Sequence, residues 1–169
     1  MAAQEPCDPQ PVTTAGSNGQ TPDPAGIVQF TRVDATVACG GETSPEAFAA
    51  LAAEGFRSVI NLRLPGEPGV AEEARVVEGA GLRYVHLPLD GAAPDPAVAE
   101  RFLEVLAEPA LAPVYIHCAS ANRVGAVWAI KRVVHDGWTR ERALDEATVI
   151  GLKSPALIEY VHRVLDARR

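Results

Sequence analysis

The sequence predicts an α/β fold with a mainly parallel sheet flanked by helices. Short apolar segments with the length of strands alternate along the chain with longer segments of helical periodicity. Serine or aspartate followed by proline, a common opening of a helix, occurs at Ser44–Pro45, Asp95–Pro96 and Ser154–Pro155. The chain has 169 residues, 47% hydrophobic and 5% aromatic, which suits a single core of helices packed on a sheet.

Residues 1–26 differ in composition from the rest of the chain. They contain proline, glycine, serine, threonine, asparagine and glutamine with almost no large apolar residue, which predicts a disordered tail. Cys7 lies in this tail and is expected to be an exposed, idle thiol. We therefore expect one folded domain over residues 27–169.

Charge and cysteine content exclude several classes of function. The net charge of −7 argues against broad binding to nucleic acid or to an anionic membrane, although a local cationic pocket is compatible with it. No apolar run approaches the ~18 residues of a membrane span, and the N-terminus lacks a signal-peptide pattern. The three cysteines are far apart and suggest neither a disulfide framework nor a metal site, so a reducing, cytoplasmic location is expected.

The first half of the chain is expected to contain two strands and two helices. Residues 29–37 hold β-branched and aromatic side chains, which favour an edge strand or hairpin, and residues 38–41 are expected to end it. The first helix is predicted from Ser44, its N-cap, to Gly55. A strand over 56–62, a loop over 63–69 and a helix over 70–80 follow.

The second half is predicted to continue this alternation. Residues 82–87 are expected to form a strand, and Asp95 is expected to cap a helix with an apolar face. The apolar run Val114–Ile116 predicts a buried strand. Further helices are predicted from Val124 to about Asp136, after the N-cap Thr139 and after the N-cap Ser154.

Polar or reactive residues directly follow three of the predicted strands. They are Asn61–Arg63, Asp90 and Cys118. Ligands of parallel sheets bind beyond the carboxyl ends of the strands. If these strands are parallel neighbours, the three groups lie at one edge of the sheet, which is the predicted site.

The segment from His117 to Val124 combines a cysteine, small residues, an arginine and a helix start. Only a thiolate is a good nucleophile, and the N-terminus of the helix together with Arg123 would stabilise the thiolate of Cys118. Arg123 also offers a planar fork for two oxygens of a phosphate or sulfate. His117 can hydrogen-bond the backbone around the loop and hold the cysteine in place. The candidate substrate-binding residues are His117, Ala119, Ser120, Ala121, Asn122 and Val124, with Arg63 from the earlier loop.

The order of cysteine, tight loop, arginine and helix resembles the dual-specificity class of cysteine-dependent phosphatases, in the tyrosine phosphatase superfamily. The stretches FRSVINLRLPGE (56–67) and GLRYVHLPLD (81–90) resemble the strands that precede the active-site strand in bacterial phosphatase-like domains. In particular, this resemblance is to the group related to the domain fused to β-lactamase-like hydrolases. Covering residues 29–165, it implies a cysteine-phosphatase-like (PTP/DSP) fold and a hydrolase that needs no metal or other cofactor.

The resemblance also implies roles for individual residues. Cys118 would be the nucleophile that forms a phosphocysteine, and Arg123 would bind the phosphoryl oxygens of a small phosphorylated substrate. Asp90 would protonate the leaving oxygen and then activate water. Asp95 is the competing acid, although capping of a helix suffices to explain it.

Two positions depart from the phosphatase pattern. Dual-specificity phosphatases have five residues between cysteine and arginine, where this chain has four, and they usually carry Ser or Thr where this chain has Val124. The shorter loop resembles many rhodanese-type sulfurtransferases, in which the cysteine carries a persulfide, so a sulfur-bearing substrate is the alternative. A non-catalytic module that binds a phosphorylated ligand is the third possibility.

Cys39, Arg63 and Glu67 are the remaining residues near the predicted pocket for which the sequence suggests a role. Cys39 is either a small buried hydrophobe or a second thiol that resolves an oxidised Cys118. Arg63 and Glu67 are expected to form an ion pair that orders the loop beside the pocket. The oligomeric state is not predicted by any pattern in the sequence.

Overall fold

The structure, a computed structural model, describes residues 24–168. Its strands are Thr31–Arg32 (β1), Val37–Gly40 (β2), Ser58–Asn61 (β3), Arg83–His86 (β4) and Val114–His117 (β5). They form one sheet in the order β1-β2-β5-β3-β4, in which β1 is antiparallel to β2 and the other neighbours are parallel. The predicted mainly parallel sheet is confirmed. Residues 1–23, with Cys7 and most of the predicted tail, lie outside the described range.

Helices cover both faces of this sheet. They are Pro45–Ala53 (α1), Val70–Gly79 (α2), Pro96–Leu106 (α3), Asn122–Val134 (α4), Arg140–Ile150 (α5) and Pro155–Ala167 (α6). One apolar cluster joins α1 and α2 to side chains such as Val59 and Tyr115. A larger cluster packs the four helices α3, α4, α5 and α6 against the opposite face of the sheet, which carries Ile60 and Ile116. This division follows from the alternation of side chains along each strand.

The register of the sheet aligns the carboxyl ends of its parallel strands. His117 at the end of β5 pairs with Gly40 of β2 on one side and with Asn61 of β3 on the other. Asn61 in turn pairs with His86 of β4. The segments that follow these strands therefore start from a common edge, as the sequence predicted for Asn61–Arg63, Asp90 and Cys118.

The prediction that residues 38–41 end the first strand is wrong. Residues 37–40 form β2, which pairs in parallel with the central strand, while Thr31–Arg32 makes only a short antiparallel edge. Every residue of β2 is buried. Small residues fit such a strand, because helices cover both of its faces and leave little room for side chains.

Three of the four predicted helix caps are confirmed. The side chains of Asp95, Thr139 and Ser154 each accept a hydrogen bond from a backbone N–H in the first turn of α3, α5 and α6. Ser44 occupies the N-cap position of α1, but its hydroxyl makes no capping hydrogen bond. Its N–H instead donates to the carbonyl of Gly26 (2.8 Å), which ties the start of the described chain to α1.

Candidate active site

The loop after β5 carries the candidate nucleophile into the start of α4. Cys118 is buried, and its N–H donates to the carbonyl of Gly40 at 3.3 Å. Ala121 adopts a left-handed conformation, with φ of 63°, and turns the chain into the helix. The helix begins at Asn122, two residues before the predicted start at Val124. Arg123 therefore lies in the first turn, close to the loop that holds Cys118.

Backbone N–H groups of this loop are available to a ligand. Within residues 24–168, the N–H groups of Ala119, Ser120 and Ala121 have no protein acceptor. The carbonyl of Ala119, by contrast, is held by the N–H of Glu42 at 2.8 Å. Free N–H groups beside a helix N-terminus attract an anion.

Gly41 is required for this arrangement of the loop. A Cβ atom at Gly41 would lie 2.6 Å from the carbonyl oxygen of Ala119, closer than carbon and oxygen approach in proteins. The glycine at the end of β2 therefore lets two neighbouring loops pass at backbone distance. Sequence reasoning treated this glycine only as a strand breaker.

The side chains of residues 119–124 differ in exposure and contacts, whereas the backbone N–H groups of residues 119–121 are available to a ligand. Ala119 and Ser120 are exposed, whereas Ala121 and Val124 are buried in the core. The side-chain oxygen of Asn122 accepts hydrogen bonds from the N–H groups of Lys153 (2.7 Å) and Ser154 (2.9 Å). Asn122 thus connects α4 to the start of α6, because its side-chain oxygen accepts both of these hydrogen bonds.

Arg123 is held in place by two partners. Its Nη1 and Nη2 donate to the two carboxylate oxygens of Glu67 at 2.7 and 2.8 Å, and Nη1 also donates to the carbonyl of Leu89 at 3.3 Å. The hydrogen bonds to Glu67 raise the pKa of Arg123 against the opposing effect of partial burial, and the interaction with the neighbouring Cys118 side chain raises it further. The same hydrogen bonds hold the pKa of Glu67 below its usual range. This pairing was missed by the sequence analysis.

The predicted ion pair between Arg63 and Glu67 is wrong. Glu67 pairs with Arg123, while Nη2 of the buried Arg63 donates to the carbonyl of Pro68 in its own loop. A flexible acid in a loop can reach either arginine, and the sequence distance favoured the nearer one. Arg63 therefore braces the loop, and its role as a substrate ligand stays a prediction.

Asp90 and Asp95 have different surroundings. Asp90 is exposed, and its carboxylate accepts a hydrogen bond from the N–H of Ala92 at 2.8 Å. The residues on either side of Asp90 lie beside Arg123. The carbonyl of Leu89 accepts a hydrogen bond from Arg123, and a Cβ at Gly91 would lie 4.0 Å from Cγ of Arg123. Asp95 caps α3 by accepting from the N–H of Ala97 at 2.9 Å. The structure thus brings the backbone around Asp90 to the arginine and uses Asp95 as a cap.

A buried polar network lies below the loop. His117 is fully buried, and its Nε2 is 3.1 Å from Oε2 of Glu73, to which the side chain of Asn61 also donates. An ionised carboxylate can only accept a hydrogen bond, so Nε2 of His117 is the donor in this contact whenever Glu73 is ionised. The predicted hydrogen bond from the His117 ring to the loop backbone is absent within the described residues, where Nδ1 has no partner. The ring instead stacks on Tyr115, with centroids 5.5 Å apart.

Glu73 was also missed by the sequence analysis, although a signal was present. Val70, Glu73 and Val77 recur at helical spacing and form the buried stripe of α2. A glutamate on an apolar stripe must find polar partners in the interior. The pattern therefore pointed to a buried polar network, but not to the identity of its members.

Cys39 is a fully buried residue of β2, on the same side of the sheet as Cys118. It lies opposite Ile116, two positions before Cys118, so the two cysteines are diagonal neighbours. Burial raises the pKa of the Cys39 thiol. The position suits a small apolar side chain better than a reactive thiol.

Two further features of the described range concern metals and membranes. No group of three or more His, Cys, Asp or Glu side chains in residues 24–168 is placed to hold a metal ion. No helix in that range combines the length and apolar character needed to cross a membrane.

Comparison of the fold with solved structures gives phosphatases of the PTP/DSP fold. P. aeruginosa TpbA matches with a TM-score of 0.69 and 23% identity, covering 88% of this chain and 97% of that protein. Tk-PTP in its active form matches with a TM-score of 0.71 and 22% identity, covering 83% and 98%. At these identities the likeness concerns the fold. The predicted cysteine-phosphatase-like fold is therefore confirmed.

Comparison of the sequence gives bacterial relatives named β-lactamase hydrolase-like protein. The relative from Agrobacterium fabrum is 30% identical over 103 residues, covering 59% of this chain and 24% of the relative. The relative from Xylella fastidiosa Temecula1 is 30% identical over 123 residues, covering 70% and 27%. The chain thus spans about a quarter of the length of these curated relatives.

The family model that matches describes one domain of such proteins. It covers residues 29–134, from the residues before β1 to the end of α4, and so includes Asp90, Cys118 and Arg123. The resemblance inferred from the sequence is therefore confirmed. The chain belongs to the family of the β-lactamase hydrolase-like protein, phosphatase-like domain.

Proposed function

We propose that this domain hydrolyses small phosphoesters through a phosphocysteine on Cys118. The Cys118 thiolate attacks phosphorus, and the bond to the leaving oxygen breaks as Asp90 gives that oxygen a proton. Water then attacks the phosphocysteine and gives a proton to Asp90. The electron pair of the S–P bond returns to sulfur, and inorganic phosphate leaves.

The observation that carries this proposal is the meeting of Cys118, Arg123 and free backbone N–H groups at one loop. A phosphoryl group in transfer carries negative charge on its equatorial oxygens, and catalysis consists largely of positioning and neutralising that charge. The N–H groups of Ala119, Ser120 and Ala121 and the Arg123 guanidinium offer such stabilisation beside the thiol. No other described feature combines a nucleophile with an oxyanion pocket.

The solved neighbours give the substrate class some support. A TpbA variant has been crystallised in complex with phosphotyrosine. The kinase associated phosphatase, which shares the fold with a TM-score of 0.67 and 18% identity, has a catalytic site cysteine. A small phosphorylated compound is thus the substrate class that we propose for this chain.

Hydrolysis of an aryl phosphate by the purified protein tests this proposal directly. We expect phosphate release that falls to background in Cys118→Ser, with an unchanged melting temperature. Chelators should have no effect on the rate. Full turnover by Cys118→Ser would show that Cys118 is not the nucleophile.

One observation favours sulfur transfer as a second function. Only four residues separate Cys118 from Arg123, and the buried Val124 offers no hydroxyl to the sulfur. In that reaction the Cys118 thiolate takes the outer sulfur of thiosulfate and sulfite leaves. Cyanide then removes the sulfur as thiocyanate and restores the thiolate.

An assay with thiosulfate and cyanide separates the two reactions. Thiocyanate formation that is lost in Cys118→Ser, without phosphate release in the first assay, would favour sulfur transfer. If neither phosphate release nor thiocyanate formation is detected, and inorganic phosphate still raises the melting temperature, the result would favour a module that only binds phosphorylated ligands.

A further inference from the structure

A cavity lies beside the loop that holds Cys118, on the face of the sheet that α1 and α2 cover. It has a volume of about 670 Å³ and is bounded by residues 26–28, 42–48 and 63–76. Two of its lining residues contact the segment around Cys118. The N–H of Glu42 donates to the carbonyl of Ala119 at 2.8 Å, and the ring of Phe48 lies 5.8 Å from that of His117. A ligand in this cavity would therefore lie next to the residues that carry Cys118.

The walls of the cavity are mainly apolar. Phe48 and Val76 line it from α1 and α2, and Ile27 and Val28 line it from the segment before β1. Val28 is 50% exposed, whereas the apolar side chains of the core are at most 7% exposed. Binding sites for small organic molecules are typically concave and apolar, with a few polar groups that select the ligand. These walls therefore suit an apolar group such as an aromatic ring.

Two carboxylates of the cavity have no partner. Glu42 and Glu72 line it from exposed positions, and their side chains have no hydrogen bond or ion pair within residues 24–168. Glu42 precedes α1, and Glu72 lies in the first turn of α2. The cavity thus has negative charge on two of its sides that the described part of the chain does not neutralise.

The other two charged residues of the cavity are buried and have opposite signs. Glu73 is 5% exposed, and its Oε2 lies 3.1 Å from Nε2 of His117. Arg63 is 6% exposed, and its Nη2 donates to the carbonyl of Pro68. Because the charges of Glu73 and Arg63 offset each other, the exposed carboxylates set the net charge of the cavity. A ligand with a cationic group is complementary to it.

We propose that this cavity binds the leaving group of the substrate, and that this group is an aromatic body ending in an ammonium. The inference rests on the proposed function, because it assigns the cavity to the part of the phosphoester that departs. The loop from Cys118 to Arg123 binds the phosphoryl group whatever its leaving group is. Negative charge in the cavity repels the phosphoryl end and attracts the cationic end, so it orients the substrate and selects among phosphoesters.

Three aryl phosphates test the charge of the leaving group. They are the phenolic phosphates of tyramine, tyrosol and 4-hydroxyphenylacetate, whose side chains end in an ammonium, a hydroxyl and a carboxylate. We expect kcat/KM at low ionic strength to be about 3- to 10-fold higher for tyramine phosphate than for tyrosol phosphate, as two exposed ion pairs allow. The carboxylate compound should be the poorest of the three. The ratio of tyramine to tyrosol phosphate should approach one in about 0.5 M salt.

Four substitutions separate the cavity from the charge of the whole protein. Glu42→Gln and Glu72→Gln should each lower the ratio of tyramine to tyrosol phosphate. Glu78→Gln removes the same charge from an exposed position on α2 outside the cavity, and should leave the ratio unchanged. Val76→Phe narrows the cavity without changing its charge, and should lower the ratio. Melting temperatures establish that each variant is folded.

Binding in the Cys118→Ser protein gives a readout that does not depend on turnover. Calorimetry with the same compounds should show tighter binding of tyramine phosphate than of tyrosol phosphate, by a similar factor. This preference decides the inference even if the wild type hydrolyses none of the three. In that case the proposed hydrolysis would be wrong and the assignment of the cavity would stand.

Three results would overturn the inference. Equal kcat/KM and equal affinity for tyramine and tyrosol phosphates at low salt would show that the cavity does not hold the ammonium. A preference for the carboxylate compound would mean that Arg63 determines the selectivity. An equal fall of the ratio in Glu78→Gln and Glu72→Gln would assign the preference to the net charge of the protein.

Discussion

At the scale of single residues, two aspartates five positions apart have different surroundings, and we propose different roles for them. Asp90 is exposed on a turn whose neighbouring residues touch Arg123, whereas Asp95 caps α3 through the N–H of Ala97. A general acid must reach the leaving oxygen, while a cap contributes only to stability. The two roles therefore predict opposite responses of rate and stability to substitution.

We expect Asp90→Asn to lower kcat by about 100-fold or more for phenyl phosphate, as is usual when a general acid is lost. The loss should be smaller for p-nitrophenyl phosphate, because its leaving group needs less protonation. Asp95→Ala should keep the rate but lower the free energy of unfolding by about 1 kcal/mol, the usual value of an N-cap. Steady-state kinetics and urea unfolding check both. A rate loss confined to Asp95→Ala would transfer the acid role to Asp95.

Asn122 is a second residue for which the structure suggests a role other than the predicted one. Its side-chain oxygen accepts two backbone hydrogen bonds from the segment before α6. Asn122→Ala should therefore lower the free energy of unfolding by about 1–3 kcal/mol, the cost of leaving such groups unpaired. Thermal and urea unfolding measure this loss. A higher KM with unchanged stability would instead support the substrate contact predicted from the sequence.

At the scale of elements, α4 is enclosed by the rest of the domain. Residues 124–130 are all buried, because the sheet lies on one side and α5 and α6 pack on the others. Gly125 allows the closest of these approaches: a Cβ there would lie 2.9 Å from both the carbonyl oxygen of Ala147 and the Cβ of Leu152. The helix that carries Arg123 is therefore fixed by backbone contact as well as by side chains.

We expect Gly125→Ala to destabilise the protein by about 1–3 kcal/mol through overpacking, although alanine is the better helix former. Gly79→Ala in α2 is the matched control, because a Cβ at Gly79 meets nothing within 4 Å. That change should stabilise the protein by about 0.5–1 kcal/mol. Urea unfolding of the two variants should give opposite signs. Stabilisation in both would show that α4 and α5 separate easily.

At the scale of the whole molecule, the contact between Glu67 and Arg123 links the segment after β3 to the helix after β5. The pKa of Glu67 is held below its usual range by this contact. Ionised Glu67 therefore stabilises the fold above its unfolded-state pKa of about 4.3, and this contribution disappears as pH falls through the lower folded-state value.

The melting temperature of the wild type should consequently fall more steeply than that of Glu67→Gln below about pH 4.3. Glu78→Gln should follow the wild type and serves as the charge control. Circular dichroism melts across the acid range measure the difference. Parallel curves for the wild type and Glu67→Gln would mean that this contact does not stabilise the fold.

The sequence predicted those parts of the molecule that depend on contiguous patterns. The parallel sheet, the helix order and the loop from Cys118 to Arg123 all belong to this class. The partners of Glu67 and Glu73 could not be predicted in this way, because several side chains could pair with each of them and only the tertiary structure brings one of these close. The misplaced end of the first strand has a related cause. Small residues at 38–41 look like a break until their neighbours are known to be helices on both faces.

The position of β5 has a consequence for how the protein loses activity. This strand is paired on both sides, by β2 and β3, and all of its residues are buried. Amide hydrogens in such a strand exchange with solvent mainly through global opening. Cys118 follows this strand directly, so the candidate nucleophile is attached to the segment that opens last. Heat inactivation and loss of the native fold should therefore coincide, without an intermediate that is folded but inactive.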